Sequence, residues 1–244
     1  MSHCKPKVTV RENGEEVCTD LCTYIANCAT EAVANHGAFF IGLSGGSLAN
    51  TLAKGLPLIE TDWSKWRVFF CDERHVPFDN ADSTYRVYKE GLFAKVPLSD
   101  KHVFKIKPDI TVEAAALDYA KQMKDAFGED CDWPIFDLLL LGMGPDGHTC
   151  SLFPTHPLLE EETVWVAPIN DSPKPPPSRI TMTFPVINRA KHSAFAACGD
   201  SKASMVQRVL EGDEKPPLPA AMVQSCEVCW FLDKAAASLL TAKL

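Results

Sequence analysis

Predominantly apolar runs of strand length constrain this chain more than any other feature. The strongest run is Phe136-Asp-Leu-Leu-Leu-Leu141, and Ala38–Leu43 and Trp66–Cys71 have the same character. A strand that is apolar on both faces must be covered on both faces, which is the situation of a strand inside a parallel sheet. Further strands are predicted at Arg179–Phe184, Ser193–Cys198 and Val228–Leu232.

Helix-like segments separate these strands. Val17–His36 carries apolar residues at helical spacing, and Val112–Phe127 does so up to Gly128, a residue typical of helix ends. The alternation indicates an α/β fold, with one domain over residues 1–244, a mainly parallel sheet and helices on both faces. Residues 1–16 are the segment where we expect flexibility. Shorter helices are predicted at Ser47–Leu56, Lys202–Glu211 and Asp233–Leu240.

Composition excludes several functional classes. The chain has 244 residues and a net charge of −8, which argues against broad binding to nucleic acid or to an anionic membrane. No apolar run approaches the ~20 residues of a membrane span, and residues 1–6 lack the apolar stretch of a secretory signal. The ten cysteines are dispersed, and the Cys226–Cys229 pair has no second pair at zinc-site spacing. We therefore expect a cytoplasmic protein with structural thiols and without a metal or cofactor.

Four polar clusters directly follow predicted strands. Ligands of such sheets collect at the carboxyl ends of the strands, so these clusters are the candidate binding residues. The clusters are Ser44-Gly-Gly-Ser47, Asp72-Glu-Arg74, Gly142-Met-Gly-Pro-Asp-Gly-His-Thr149 and Gly199-Asp-Ser-Lys202.

Three of these features favour an anionic ligand. Gly45 and Gly46 allow the backbone to approach a ligand closely, and the helix that follows offers free N–H groups at its positive end. Lys202 stands at a helix start, where a cation is unfavourable unless an anion accompanies it. Arg179 is a candidate for bidentate phosphate binding. The structural alternatives are a plain strand-to-helix turn, a solvated lysine and a surface salt bridge.

The third cluster favours general-base chemistry. Its glycines and proline hold Asp146 and His148 on a rigid loop. A histidine with a pKa near ~6.5 is a natural base at neutral pH, and a neighbouring carboxylate can fix its tautomer. The structural alternative is a capping histidine in a tight turn. Adjacent strand residues point to opposite faces, so at most one or two of Asp72, Glu73 and Arg74 can face a common pocket. Which of Asp72, Glu73 and Asp146 supports the base therefore stays open.

These motifs resemble those of the 6-phosphogluconolactonase family, nearest to its animal members. The likeness runs in order from about Val17 to the C-terminus. It implies the fold shared by amino-sugar-phosphate deaminases, ribose-phosphate isomerases and CoA transferases. It also implies hydrolysis of 6-phospho-D-glucono-1,5-lactone to 6-phospho-D-gluconate in the oxidative pentose phosphate pathway. The motifs are Leu43–Ser47, Cys71–Arg74 with Val76-Pro77, Leu141–Pro154, which is the most specific, and Ser172–Arg179.

The resemblance also implies roles for individual residues. His148 matches the general base, and its chemistry leads us to expect that Asp146 orients its ring. The positions that hold the phosphate and orient the sugar are matched by Ser44, Gly45, Gly46, Ser47, Arg74, Arg179 and Lys202, and Asp72 is a further candidate substrate-binding residue.

Two other functions remain in competition. An amino-sugar-phosphate deaminase resembles this chain through the Gly-Asp-Gly-His stretch, but those enzymes have a glutamate five residues after the histidine. Here that position is Phe153, which cannot transfer a proton. The second alternative is a sugar-phosphate sensor that keeps the pocket without the chemistry, and the presence of His148 argues against it.

Overall fold

The apolar strand β5, Leu138–Leu141, lies inside a six-stranded sheet, and its side chains alternate between two hydrophobic cores. Leu138 and Leu140 pack into one core, and Leu139 and Leu141 pack into the other. All four side chains are 0% exposed. This two-sided burial explains why the strand contains no polar residue, as is typical of strands in a covered parallel sheet.

The computed structural model describes residues 5–241, and these form two sheets. The strands are β1 Lys7–Arg11, β2 Phe39–Leu43, β3 Trp66–Phe70, β4 Asp72–Arg74, β5 Leu138–Leu141, β6 Val166–Ile169, β7 Arg179–Met182, β8 His192–Ala197 and β9 Glu227–Asp233. The large sheet has the order β1-β9-β8-β5-β2-β3, and every neighbouring pair in it is parallel. The small sheet has the order β4-β7-β6 and is antiparallel.

Helices cover both faces of the large sheet. The helices are α1 Gly14–His36, α2 Ser47–Gly55, α3 Thr84–Gly91, α4 Val112–Phe127, α5 Phe184–Ile187 and α6 Ala203–Glu211. Side chains of α1, α2 and α3 pack into the core that contains Leu138, and those of α4 and α6 pack into the core that contains Leu139. The longest helix, α1, begins where the Asn13 side chain accepts two backbone N–H groups, and it ends at Gly37 with a φ of 81°.

The predicted fold class is confirmed, but one predicted element is wrong. The strand predicted at Arg179–Phe184 is confirmed over Arg179–Met182 as β7, which pairs antiparallel in the small sheet. The helix predicted at Asp233–Leu240 is instead a series of turns. There the Asp233 carboxylate accepts the backbone N–H groups of Gly199 and Ala236, which ties the chain into a turn as it leaves β9.

Several elements were not predicted from the sequence. Within the segment where we expected flexibility, residues 7–11 form β1 and residues 14–16 begin α1, while residues 1–4 lie outside the described residues. The other elements without a prediction are β4, β6, α3 and α5.

Two further properties of residues 5–241 bear on the predictions from composition. No helix in this range combines the length and apolar character needed to cross a membrane. The nine cysteines in this range are all free thiols.

Candidate active site

The four polar clusters meet at one cavity. It lies at the carboxyl ends of β8, β5, β2 and β3, which are neighbours in the large sheet, and its volume is about 180 Å³. Asp146 is the one predicted site residue that does not line the cavity, and it contacts a residue that does. The predicted residues on the wall are Ser44, Gly45, Gly46, Ser47, Asp72, Arg74, His148, Arg179 and Lys202.

His148 and Asp146 form a hydrogen-bonded pair, called the dyad below. The distance from His148 Nδ1 to Asp146 Oδ1 is 2.5 Å. The imidazole also packs on the Phe153 ring, with centroids 4.6 Å apart. Because Nδ1 is engaged by a carboxylate and no described residue bonds Nε2, the pair favours the tautomer in which Nε2 carries the free lone pair. Asp146 is therefore the carboxylate that supports the imidazole.

A third group, Lys174, contacts the dyad and was missed from the sequence. Its Nζ lies 2.9 Å from Asp146 Oδ1 and 3.2 Å from His148 Nδ1. The sequence suggested only an extended loop over Ser172–Pro177, which is called the proline loop below. The available signal was the single cation in a segment that prolines make stiff.

Ionisation of the dyad follows from these contacts. Burial raises the pKa of Asp146, but hydrogen bonds from His148 and Lys174 outweigh it and lower that pKa to about 2. Burial lowers the pKa of His148, Asp146 opposes this, and the nearby Lys174 charge adds to the lowering. At neutral pH the arrangement therefore holds an ionised carboxylate beside an uncharged imidazole.

Arg179 is buried and holds the proline loop. Its Nε donates to the Pro176 carbonyl at 2.9 Å, and its Nη2 donates to the carbonyls of Lys174 and Pro175 at 2.8 and 3.1 Å. Its Nη1 lies 3.4 Å from Ser151 Oγ. Most of its donors are thus used within the chain, which differs from the bidentate phosphate contact that the sequence suggested.

The side chains of β4 alternate between the cavity and the interior. Asp72 and Arg74 line the cavity, and Asp72 accepts a hydrogen bond from Ser151 Oγ at 2.7 Å. Glu73 points the other way and accepts the backbone N–H of Arg74 at 2.7 Å and two N–H groups at the start of α3 at 2.7 and 2.8 Å. Burial raises the pKa of Glu73 to about 7, although the hydrogen bonds from those N–H groups oppose the rise. Glu73 therefore supports the structure behind the site.

Positive groups line the remainder of the cavity. Within residues 5–241, Ser44 Oγ and Arg74 Nε are buried behind its wall and have no hydrogen-bond partner. The helix α2 begins at Gly46 without a side-chain cap, so its first N–H groups are not used by a side chain. Lys202 Nζ donates to the Met143 carbonyl at 3.0 Å, and burial, followed by the charge of Lys174, lowers the pKa of Lys202. These features fit an anionic group such as a phosphate.

The described residues show no metal-binding arrangement. No group of three or more histidine, cysteine, aspartate or glutamate side chains within residues 5–241 has the geometry to hold a metal ion.

Sequence comparisons agree with the geometry. The family model described as glucosamine-6-phosphate isomerases/6-phosphogluconolactonase matches residues 12–230. The 6-phosphogluconolactonase of Homo sapiens is 49% identical over 242 residues, which cover 96% of this chain and 93% of that protein. A probable 6-phosphogluconolactonase of Oryza sativa is 44% identical over 97% of this chain and 91% of its own length.

Solved structures have the same architecture. The 6-phosphogluconolactonase of Trypanosoma cruzi superimposes with a TM-score of 0.83 at 25% identity, covering 99% of this chain and 100% of that one. The enzyme of the same name from Thermotoga maritima gives 0.82 at 27% identity, covering 94% and 100%. A monomeric glucosamine-6-phosphate deaminase gives 0.79 at 20% identity over 96% of this chain and 100% of its own, which is a likeness of fold alone.

Proposed function

This chain belongs to the glucosamine-6-phosphate isomerase/6-phosphogluconolactonase family, and from that premise we propose that it hydrolyses 6-phospho-D-glucono-1,5-lactone to 6-phospho-D-gluconate with His148 as the general base. The family resemblance and the enzyme class predicted from the sequence are confirmed by the matches above. The proposal also assigns the reaction to the oxidative pentose phosphate pathway and to the cytoplasm.

One observation carries the proposal. The dyad holds His148 on the wall of the cavity with no described residue bonded to Nε2, while the cationic side chains of Arg74 and Lys202 line the same wall. A base and positive groups on the walls of one small space are the requirements for adding water to a carbonyl group.

The chemistry needs one base and one water molecule. His148 Nε2 takes a proton from water as the water oxygen bonds to the lactone carbonyl carbon. The tetrahedral intermediate then collapses, the bond from that carbon to the ring oxygen breaks, and the ring oxygen receives the proton from His148. Asp146 orients the ring through Nδ1. A positioned base of this kind contributes ~10²–10⁴-fold to the rate.

The rest of the cavity supplies binding and charge stabilisation. Arg74 lines the cavity and stabilises the oxyanion, a well-placed donor contributing about 3 kcal/mol. A substrate phosphate carries a charge of about −2 at neutral pH, whereas the chain has a net charge of −8. Substrate capture therefore depends on local positive groups, chiefly Lys202 and the N–H groups at the start of α2.

Phe153 distinguishes this activity from deamination on the same fold. It is 1% exposed, and its ring packs on His148 at the position where deaminases have a glutamate. An apolar ring there cannot transfer the proton that opening of an amino sugar requires.

Two assays on the purified protein test the proposal. One measures 6-phosphogluconate formation from freshly made lactone, with spontaneous opening subtracted, and the other measures ammonia release from glucosamine 6-phosphate. We expect the first product and no ammonia. Ammonia release without lactone hydrolysis would assign the protein to the deaminases. Binding of 6-phosphogluconate without either reaction would assign it to the non-catalytic sensors.

A further inference from the structure

Lys174 reaches the dyad from the proline loop. Its ammonium and the His148 ring contact the same oxygen, Asp146 Oδ1, at 2.9 and 2.5 Å. Lys174 is not among the residues that line the cavity, and its side chain is 33% exposed. Its observed contacts are with the imidazole and the carboxylate, from outside the residues that line the cavity.

The proline loop is built to hold this lysine in place. Ser172 Oγ donates to the Lys174 carbonyl at 2.8 Å and accepts the Lys174 N–H at 3.3 Å. The same carbonyl accepts from Arg179 Nη2 at 2.8 Å. The prolines that follow fix the backbone further. Because the main chain is held from both sides, only the side-chain torsions of Lys174 have to be ordered when its ammonium meets the carboxylate.

The charges around His148 act in opposite directions. Asp146 alone stabilises the imidazolium, which cannot accept a proton from water, and Asp72 acts in the same direction. Lys174 opposes both, because it neutralises the shared carboxylate and its own charge lies 3.2 Å from Nδ1. The other cations around His148 are Arg179, whose guanidinium lies 5.7 Å from the Phe153 ring, together with Arg74 and Lys202 on the cavity wall.

We infer that Lys174 is a positioning residue of the reaction, whose ammonium shares the Asp146 carboxylate with His148 and so keeps the imidazole uncharged and able to accept a proton at neutral pH. This inference rests on the proposed function, since it concerns the base of that reaction. Its measurable consequence is that the enzyme stays active at a lower pH than the Asp146–His148 pair alone would allow.

The chain contains a second arrangement of the same kind, which provides a matched control. Lys191 Nζ and His36 Nε2 both lie 2.8 Å from Asp137 Oδ1. Asp137 directly precedes β5, so this group lies at the amino end of the strand whose carboxyl end carries the dyad. Substitution of Lys191 also removes an ammonium that shares an aspartate oxygen with a histidine, but at a position remote from the cavity.

The experiment compares Lys174→Met, Lys174→Arg and Lys191→Met with the parent enzyme. Two quantities are measured: the pH dependence of kcat/KM for the lactone, and the titration of the His148 ring by NMR without substrate, with the resonance assigned by His148→Gln. We expect Lys174→Met to move the acid limb and the ring titration upward by about one pH unit, a typical effect of a neighbouring charge on a histidine. Lys174→Arg keeps the charge and restores both values, and Lys191→Met leaves them unchanged.

Each other result has a defined meaning. An unmoved His148 titration in Lys174→Met overturns the inference, even if kcat falls, because a uniform loss of rate at every pH is a structural effect. If Lys174→Met disturbs the fold, Lys174→Gln repeats the test with a side chain that still hydrogen-bonds Asp146. If the parent enzyme does not hydrolyse the lactone, the proposed function fails, while the ring titration still decides whether Lys174 sets the charge of His148.

Discussion

At the scale of single residues, Gly144 determines whether the dyad can form. A Cβ atom at this position would lie 2.0 Å from His148 Nδ1 and 2.1 Å from its Cε1. Contacts this short require the imidazole to move, so the histidine can occupy its position only next to a residue without a side chain.

The first prediction concerns Gly144→Ala. The added methyl group displaces the His148 ring from Asp146, and we expect kcat to fall by about 10²-fold, as is typical when a catalytic group is misplaced by an ångström. The matched control is Gly14→Ala, where a Cβ makes only an ordinary contact of 3.6 Å with Cys198. Steady-state kinetics with the fresh lactone measure both variants. A Gly144→Ala enzyme with the kcat of the parent would show that the dyad geometry is unimportant.

The second prediction concerns Lys202→Ala. Lys202 lines the cavity and is held to the Met143 carbonyl. Loss of a charged donor to a phosphate costs about 2 kcal/mol, so we expect KM to rise by more than ~10-fold while kcat changes little. Lys234→Ala removes an exposed lysine that pairs with Glu12, and it serves as the control. An unchanged KM in Lys202→Ala would contradict the assignment of this lysine to substrate capture.

Predictability of the site depends on sequence distance. Asp146 and His148 are two residues apart on one loop, so a local pattern suffices to pair them. Lys174 is 26 residues from His148, and no local pattern specifies which oxygen it contacts. Likewise, the sequence identifies Arg179 as a donor of several hydrogen bonds, but only the folded chain determines that most of them go to the proline loop.

At the scale of secondary-structure elements, the turn from β2 into α2 combines backbone conformation with ligand binding. Gly46 has a φ of 74° and a ψ of −150°, a region that only glycine occupies without strain. The residues that open α2 after this turn, Ser47 and Leu48, line the cavity. The turn therefore contributes to the site through its backbone.

The third prediction follows from this turn. In Gly46→Ala nothing lies within 4 Å of the new Cβ, so the cost is backbone strain of about 1–3 kcal/mol. Relaxation of the turn shifts the first residues of α2 relative to the cavity. We expect a lower melting temperature and a higher KM. Gly37→Ala also places alanine at a positive φ, 81°, but at the end of α1 and outside the cavity lining. It should lower the melting temperature alone, and an unchanged KM in Gly46→Ala would argue against a binding role for the turn.

Elements were predictable from the sequence where burial is complete. The apolar runs located β2, β3, β5, β8 and β9, because strands covered on both faces contain few polar residues. The same rule cannot identify β1, whose residues are only partly buried or exposed at the edge of the sheet. A helix was also predicted at residues 233–240 because it follows the last strand, but there the Asp233 carboxylate accepts the backbone N–H of Ala236 and the chain forms turns.

At the scale of the whole molecule, strand order was beyond prediction. The sequence indicates parallel strands, but the order β1-β9-β8-β5-β2-β3 depends on which strands pair with each other. Because the apolar runs are similar, none of them specifies its pairing partner. The order matters, because it makes the four strands that carry polar clusters adjacent. The edge strand β1 closes the sheet at the opposite side from β3.

The fourth prediction concerns acid stability and this closing edge. Glu227 of β9 pairs with Lys7 of β1 and accepts a hydrogen bond from Tyr24 of α1 at 2.8 Å. Burial raises the pKa of Glu227, but the bonds from Lys7 and Tyr24 outweigh it and lower that pKa to about 2, from 4.5. A carboxyl group with a lowered pKa stabilises the fold above its unfolded pKa, and this stabilisation is lost as the pH falls from 4.5 towards 2.

Urea unfolding at pH 7 and pH 3 measures this effect. We expect Glu227→Gln to destabilise the fold at pH 7 by about 1 kcal/mol, a value reduced by the exposure of the pair to solvent. The difference from the parent protein should become smaller at pH 3. Glu129→Gln replaces an exposed glutamate and is the control. An equal loss at both pH values would show that the glutamate contributes by packing and not by charge.

The central claim is that the imidazole of His148 activates the water that opens the lactone. The most direct measurement is the turnover of His148→Ala on freshly prepared lactone, with spontaneous opening subtracted and the affinity for 6-phosphogluconate determined separately by calorimetry. The account predicts that kcat falls by ~10²–10⁴-fold while the affinity for the phosphorylated product is retained. Undiminished turnover in a variant that still binds the product would contradict it.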